Sequence, residues 1–216
     1  MADAVYKYHD RYQFDSYFDL GTRNRLRITD CFDAVVYDIN DEAGHMNFRD
    51  KSLELTPDEI MKLILKKGIK KFVYENVLPI RFNVKNREDA AERIAAAGKE
   101  LAEFNSSKGA VAKKMRTEYG VPTLFGPGIL NTVEELFMGS ILGIKDMSVC
   151  MRRYADLFED FITQMSVSWK KEVAGRMDAC PNDGESVFQF NTLNLAHTIM
   201  NPKQFGRYYW PQMKWR

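Results

Sequence analysis

The chain has little of what usually announces a function. Its 216 residues carry 31 Lys plus Arg against 30 Asp plus Glu, a formal net charge of +1. No long-range field steers such a chain to a phosphate backbone or an anionic membrane, so neither nucleic acid nor membrane is expected as a partner. No apolar run approaches the roughly 18 residues that a membrane-spanning helix needs. The N-terminus, Met1-Ala-Asp-Ala-Val-Tyr-Lys-Tyr-His9, lacks the basic-then-apolar layout of a secretory signal, and the reading is a cytoplasmic protein. Cysteine is scarce. Cys31, Cys150 and Cys180 form no Cys-x-x-Cys or His-x-Cys pair, which excludes a disulfide framework and leaves no metal ligand set within the chain. Gly-x-Gly-x-x-Gly, Gly-x-Ser-x-Gly, His-Glu-x-x-His and the P-loop are all absent, removing the best-marked dinucleotide, hydrolase, metalloprotease and nucleotide sites. No repeat, low-complexity tract or Pro/Ser linker interrupts the chain, so residues 1–216 read as one continuous domain.

What is present is an ordinary core-forming composition, 45% hydrophobic and 12% aromatic, long enough to bury about 70% of the unfolded surface. Residues 34–37 read as a strand, and Asn40-Asp41-Glu42-Ala43-Gly44 as a turn. Thr56-Pro57-Asp58-Glu59 is the clearest helix start: a cap, a proline where no N–H is needed, and a Glu to close a capping box. Gly68 ends that helix after Lys67. Asn86 caps a helix over 87–104, and Ser106 or Ser107 opens another ending near Tyr119-Gly120. The apolar run 121–125, short and bounded by glycines, reads as a buried strand of a parallel sheet. Asn131 or Thr132 caps a short helix to about Gly139, Ser148 caps a long one over 149–174, and 185–191 is the next strand. Asn201-Pro202-Lys203-Gln204 opens the last helix. This alternation predicts an α/β fold with right-handed crossovers on a parallel sheet.

In such folds ligands bind at the carboxyl ends of the strands, which points to the loops after Phe125 and Phe190. Around Phe125, Gly126, Pro127 and Asn131, the two glycines Gly126 and Gly128 let the backbone approach a ligand closely. In Asn191-Thr192-Leu193-Asn194-Leu195-Ala196-His197, polar side chains interrupt an apolar strand end. Asn191 and Asn194 are the expected substrate contacts, and His197 is the expected proton-transfer residue. Other features read as structural. Met147, Met151 and Met165, with Phe158, Phe161 and Ile162, have the spacing of a packed helix face. Arg23, Arg25 and Arg27 read as a solvated turn, and Lys66, Lys67, Lys70 and Lys71 as charge at a helix end. The aromatic end, Tyr208-Tyr209-Trp210-Pro211 and Trp215, requires a cover.

The order of Val121-Pro-Thr-Leu-Phe-Gly-Pro-Gly128, Val133-Glu-Glu-Leu-Phe-Met-Gly139, the helix over 147–162 and Asn201-Pro-Lys-Gln-Phe-Gly-Arg-Tyr-Tyr-Trp-Pro211 resembles the uroporphyrinogen decarboxylase superfamily. The superfamily includes the cobalamin-dependent (corrinoid) methyltransferases, and the resemblance runs over residues 70–216. It implies a (β/α)8 TIM-barrel type fold, an incomplete barrel in these 216 residues because a typical barrel needs about 250. The decarboxylases carry an Arg-x-x-Gly-Arg type segment that this chain lacks, having only Gly21-Thr-Arg-Asn-Arg25. The resemblance therefore implies the methyl-transfer branch: methyl transfer between a methylated small molecule and a corrinoid protein, with corrinoid on that partner and zinc held by a His-x-Cys beyond Arg216. A second copy or a completing subunit would close the barrel. The alternatives are a non-catalytic half-barrel that assembles through Tyr208 to Trp215, and porphyrinogen decarboxylation with Arg23, Arg25 and Arg27 gripping carboxylates.

Overall fold

A computed structural model of the chain describes residues 2–16, 26–32, 37–40, 42, 45–48, 53–122, 132–180 and 199–214. In chain order the elements are α1 (Ala2–Tyr12), α2 (Leu26–Asp30), β1 (Tyr37–Asn40), β2 (His45–Phe48), α3 (Pro57–Lys67), α4 (Ile69–Phe72), α5 (Leu78–Phe82) and α6 (Arg87–Tyr119). They continue with α7 (Val133–Phe137), α8 (Gly143–Arg153), α9 (Ala155–Asp178), α10 (Pro202–Gln204) and α11 (Trp210–Met213). Single wide turns with i to i+5 hydrogen bonds join α4 to α5 over Val73–Val77, α7 to α8 over Met138–Leu142, and α10 to α11 over Phe205–Tyr209. The elements fall into two compact units, residues 1–54 with 69–124, and residues 55–68 with 125–216.

The expected α/β barrel is not found. The sheet among the described residues is one antiparallel hairpin, β1 with β2, in the register Tyr37 opposite Phe48 and Asn40 opposite His45. Most of the turn read at Asn40 to Gly44 lies outside the described residues. The rest of the described chain is predominantly helical. The physical reason is clearest at Val121, read as the first residue of a buried parallel strand. Gly120 ends α6 in the left-handed region (φ 68°), and the Gly120 and Val121 amides both donate to the Met115 carbonyl. Val121 then packs on Val111 and Met115. An apolar residue just past a glycine cap folds back onto the last turns of its own helix, and no strand partner is needed to bury it. The other expected strand, 185–191, lies outside the described residues, as does 123–131.

Two helix boundaries also differ. Ser106 and Ser107 open no second helix: α6 runs unbroken for 33 residues, and the Ser107 hydroxyl donates to the Phe104 carbonyl at 2.8 Å, so the serine is absorbed into the turn behind it. Ser148 does the same to Ile144, at 3.0 Å, inside α8. The break falls at Tyr154, between α8 and α9.

In the first unit, α1 lays Ala2, Val5 and Tyr6 against Val111, Met115 and Val121. Tyr6 stacks on Tyr119 with ring centres 5.7 Å apart. At the other end of α6, Leu78, Val84 and Ala90 pack with Phe32, Val73 and Phe82. Ile94 and Leu101, on the long helix between these clusters, are exposed.

The second unit packs α3 against α8 and α9, and α7 against α9. α3 starts where its cap residues predict. The Glu59 carboxylate takes the Thr56 backbone N–H at 2.8 Å and the Thr56 hydroxyl at 2.7 Å, while Ile60, Met61 and Ile64 turn inward. Met147, Met151, Phe158, Phe161 and Ile162 are all buried and Met165 is half-buried, so the methionine and aromatic stripe is largely core. The Phe137 and Phe161 rings meet edge to face at 4.6 Å. Asn201 caps α10 reciprocally with Gln204, at 2.9 and 3.1 Å. The wide turn that follows adds a residue to the helical repeat, so Tyr208 and Tyr209, adjacent in sequence, are both buried.

Candidate functional site

The most unusual chemistry in the described structure is at the start of α7. Thr132 is its cap: its N–H donates to Glu135 Oε2 at 2.9 Å, and its Oγ1 accepts from the Glu135 amide at 3.4 Å. Val133 comes next, and its amide donates to Gln212 Oε1 at 3.0 Å, across 79 residues of sequence. Gln212 Nε2 donates to the Tyr208 carbonyl at 3.1 Å, and the Tyr209 hydroxyl donates to Glu135 Oε1 at 3.4 Å. The C-terminal helix thus clamps the first turn of α7 through two side chains that are themselves buried.

Two consecutive glutamates are shut inside this clamp, Glu134 1% and Glu135 2% exposed. Their situations differ. Glu135 holds hydrogen bonds on both oxygens. Neither oxygen of Glu134 has a hydrogen-bond partner. Thr132 and Gln212 stand near enough to favour its charged form somewhat, but neither makes a bond of ordinary geometry with it. Burial dominates and pushes the Glu134 carboxyl up from 4.5 to about 7; the neighbouring Glu135 adds a small push in the same direction. Glu134 and Glu135 line a crevice with Met138, Met147, Ile199, Met200 and Tyr209, which has no room for a water molecule. Most of the crevice lining is thioether and aliphatic, which cannot solvate a charge, and burial outweighs the nearby donors of Thr132, Gln212 and the Glu134 backbone amide. Around neutral pH the Glu134 carboxyl holds one proton that can leave or return without a large change in free energy, the condition for a general acid or base.

Phe125, Gly126, Pro127, Asn131, Asn191, Asn194 and His197 all lie outside the described residues, as do Arg23 and Arg25. Arg27 is exposed in the last turn of α2. Sequence reasoning missed Glu134 and Glu135 because acids in a first helical turn are the ordinary dipole-complementing choice on a solvated face. The signal that could have found them is the company they keep: Val133, Phe137 and Met138 are buried, while Leu136 is 43% exposed. A turn that turns its leucine outward and its glutamates inward inverts the usual pattern.

Zinc does not fit the described residues. Cys150 is fully buried and its thiol is pushed up to about 12, chiefly by burial, which opposes the thiolate a metal requires. No group of three or more His, Cys, Asp or Glu among the described residues is arranged to hold a metal ion. No helix among them is long and apolar enough to cross a membrane. A scan against family models finds no match to the chain, and comparisons with curated proteins and with solved structures find none either.

Proposed function

We propose that this chain is an enzyme that acts on a small molecule by proton transfer, with Glu134 as the proton-carrying group. One observation carries the reading. In a cluster where Thr132, Val133, Glu135, Tyr209 and Gln212 satisfy one another, the single carboxyl left without a partner is the most buried acid of the set. Leaving a buried carboxyl unpaired costs folding free energy, and such groups are kept where chemistry uses them. Glu135, Gln212 and Tyr209 act as positioning residues that hold the first turn of α7 in place. Methyl transfer, implied by the residue order over 70–216, falls within this reading. The group that departs when a methylated amine, thiol or alcohol gives up its methyl needs a proton, which a protonated Glu134 supplies.

Incubation with a panel of methylated amines, thiols and alcohols and a free corrinoid reduced chemically to its Co(I) state, which takes the methyl as the bond to the departing group breaks, tests the reading by release of the demethylated product. The expected result is turnover that declines above about pH 7 and drops by roughly a hundredfold or more in Glu134→Gln. Turnover that Glu134→Gln leaves intact overturns the assignment of Glu134; absence of turnover with every donor removes methyl transfer.

A second reading is favoured by Trp210. It is 46% exposed, its ring stacked on Phe205 at 6.2 Å between centres, beside the buried Tyr208 and Tyr209. An exposed indole on a rigid aromatic base is a common anchor for a protein partner. In that case Trp210→Ala abolishes assembly, seen by sedimentation, while Glu134→Gln leaves it unchanged.

A further inference from the structure

Residues 199–213 close the Glu134 crevice, and they are held from two sides by contacts of unequal strength. On the α9 side the segment is anchored. The Arg207 guanidinium donates to Glu159 at 2.7 Å and to Asp156 at 2.7 Å, and the Tyr208 ring meets Phe158 edge to face at 4.9 Å. A fork of charge-assisted bonds beside a buried ring pair fixes orientation as well as position. On the α7 side the segment is only latched. The Val133 amide donates to Gln212 at 3.0 Å, and the Tyr209 hydroxyl reaches Glu135 at 3.4 Å, beyond the usual O–H···O range. The wide turn over Phe205–Tyr209 makes this division, setting Tyr208 against α9 and Tyr209 against α7.

With the latch closed, nothing reaches Glu134, because the crevice has no room even for water. The groups facing the carboxyl offer its anion little. Glu135 on its own helix and the Tyr209 hydroxyl on the segment are the titratable ones in the lining. The turn over Met138–Leu142 contributes Met138, α8 contributes Met147, and Ile199 and Met200 complete the wall. α9 meets α7 through Phe161, packed on the Phe137 ring. The cations of the segment itself, Lys203, Arg207 and Lys214, are exposed and outside the lining. Thr132 and Gln212 bring donors near, but burial outweighs them. An ionised carboxylate in such a place needs water, and water enters only when the segment lifts from α7.

We infer that residues 199–213 are a pH-gated lid, latched on α7 while Glu134 holds its proton and lifting about the Arg207 anchor when Glu134 ionises. The inference rests on the proton-transfer reading for its subject, Glu134, and gives that reading an entrance for substrate. Hydrogen exchange of the full chain at pH 5 and pH 8, read by mass spectrometry and corrected for the intrinsic pH dependence of amide exchange, tests it. The reporters are the Val133 amide, whose acceptor is Gln212, and the amides of Tyr209 to Met213. With Glu134 returned to an ordinary carboxyl in the lifted state, their opening should rise on the order of fiftyfold over that range. The amides of α3 and α9, in the same unit, should stay protected. Glu134→Gln should flatten the rise, and so should Glu134→Met, which matches the thioethers around it. The inference is overturned if the reporters do not accelerate, if either variant keeps the parent's rise, or if α3 and α9 accelerate with the lid, which is unfolding of the whole unit. Exchange is read without turnover, so the two readings fail apart. A lid that stays shut gives flat exchange in the parent, whereas a Glu134 that gates the lid without serving the substrate gives the rise with turnover unchanged by Glu134→Gln.

Discussion

Glu134 makes the stability of the second unit depend on pH in a direction opposite to that of most carboxylates. A salt-bridged acid has a lowered folded pKa and contributes stability that is lost as pH falls. The carboxyl of Glu134 goes the other way, from 4.5 in the unfolded chain to about 7 when folded. Below about pH 4.5 both states hold the proton and the residue costs nothing through ionisation. Between 4.5 and 7 the folded state keeps a proton that the unfolded state has released, so stability falls as pH rises. Above 7 the loss is complete, and at about 1.4 kcal/mol per pH unit it amounts to about 3 kcal/mol. Glu134→Gln keeps the shape and removes the ionisation. Any fixed cost of the amide is the same at both ends of the pH range, so the difference between pH 8 and pH 4 isolates the carboxyl. Urea unfolding of parent and variant followed by tryptophan fluorescence is the suitable assay, because Trp169, Trp210 and Trp215 all belong to the second unit. The variant should gain about 3 kcal/mol on the parent between pH 4 and pH 8, or roughly 6–12 °C in melting temperature. A gain that is the same at both pH values would show that Glu134 is ionised as readily folded as unfolded, and the reading of the site would fall with it.

Other expectations follow from single residues. Replacing Gln212 by Leu leaves the buried Val133 amide without its acceptor and should cost about 1–3 kcal/mol in chemical denaturation; an effect under about 0.5 kcal/mol would mean the clamp is not made. The Cys150 thiol is buried and held far above the normal thiol range, whereas Cys31 and Cys180 are partly accessible. Iodoacetamide at pH 8 should therefore modify two of the three cysteines in the folded chain, and mass spectrometry finding Cys150 modified as fast as the others would contradict its burial. Two glycines of the long helix should respond with opposite signs. A Cβ at Gly109, in the helix interior, meets nothing within 4 Å, so Gly109→Ala should stabilise by about 0.5–1 kcal/mol. A Cβ at Gly120 is equally unobstructed, but the residue sits at φ 68°, so Gly120→Ala should destabilise by about 1–2 kcal/mol, read in the same thermal melts.

The sequence is legible where structure is decided by neighbours three or four residues away. The start of α3 at Thr56-Pro57, its end at Gly68, the Asn86 cap of α6 and the Asn201 to Gln204 box are all found where short-range grammar places them. Capping residues lose that meaning inside a helix already under way. Ser107 and Ser148 carry the same hydroxyl as a cap and instead bond a carbonyl behind them. The fold class failed for a related reason: the run after Gly120 is apolar whether it starts a buried strand or seals a helix end, and which of these holds is set by Val111 and Met115, on the preceding turns. The candidate site is legible least of all. Glu134 is an exceptional residue only because Gln212, 78 positions later, closes over the turn that holds it and takes the amide of its neighbour. That contact is tertiary, and no periodicity in the chain encodes it. The two-glutamate turn at 134–135 shows what a local pattern can contribute. It marks where an acid is present, whereas burial decides whether that acid is a solvated charge or a proton held ready for use.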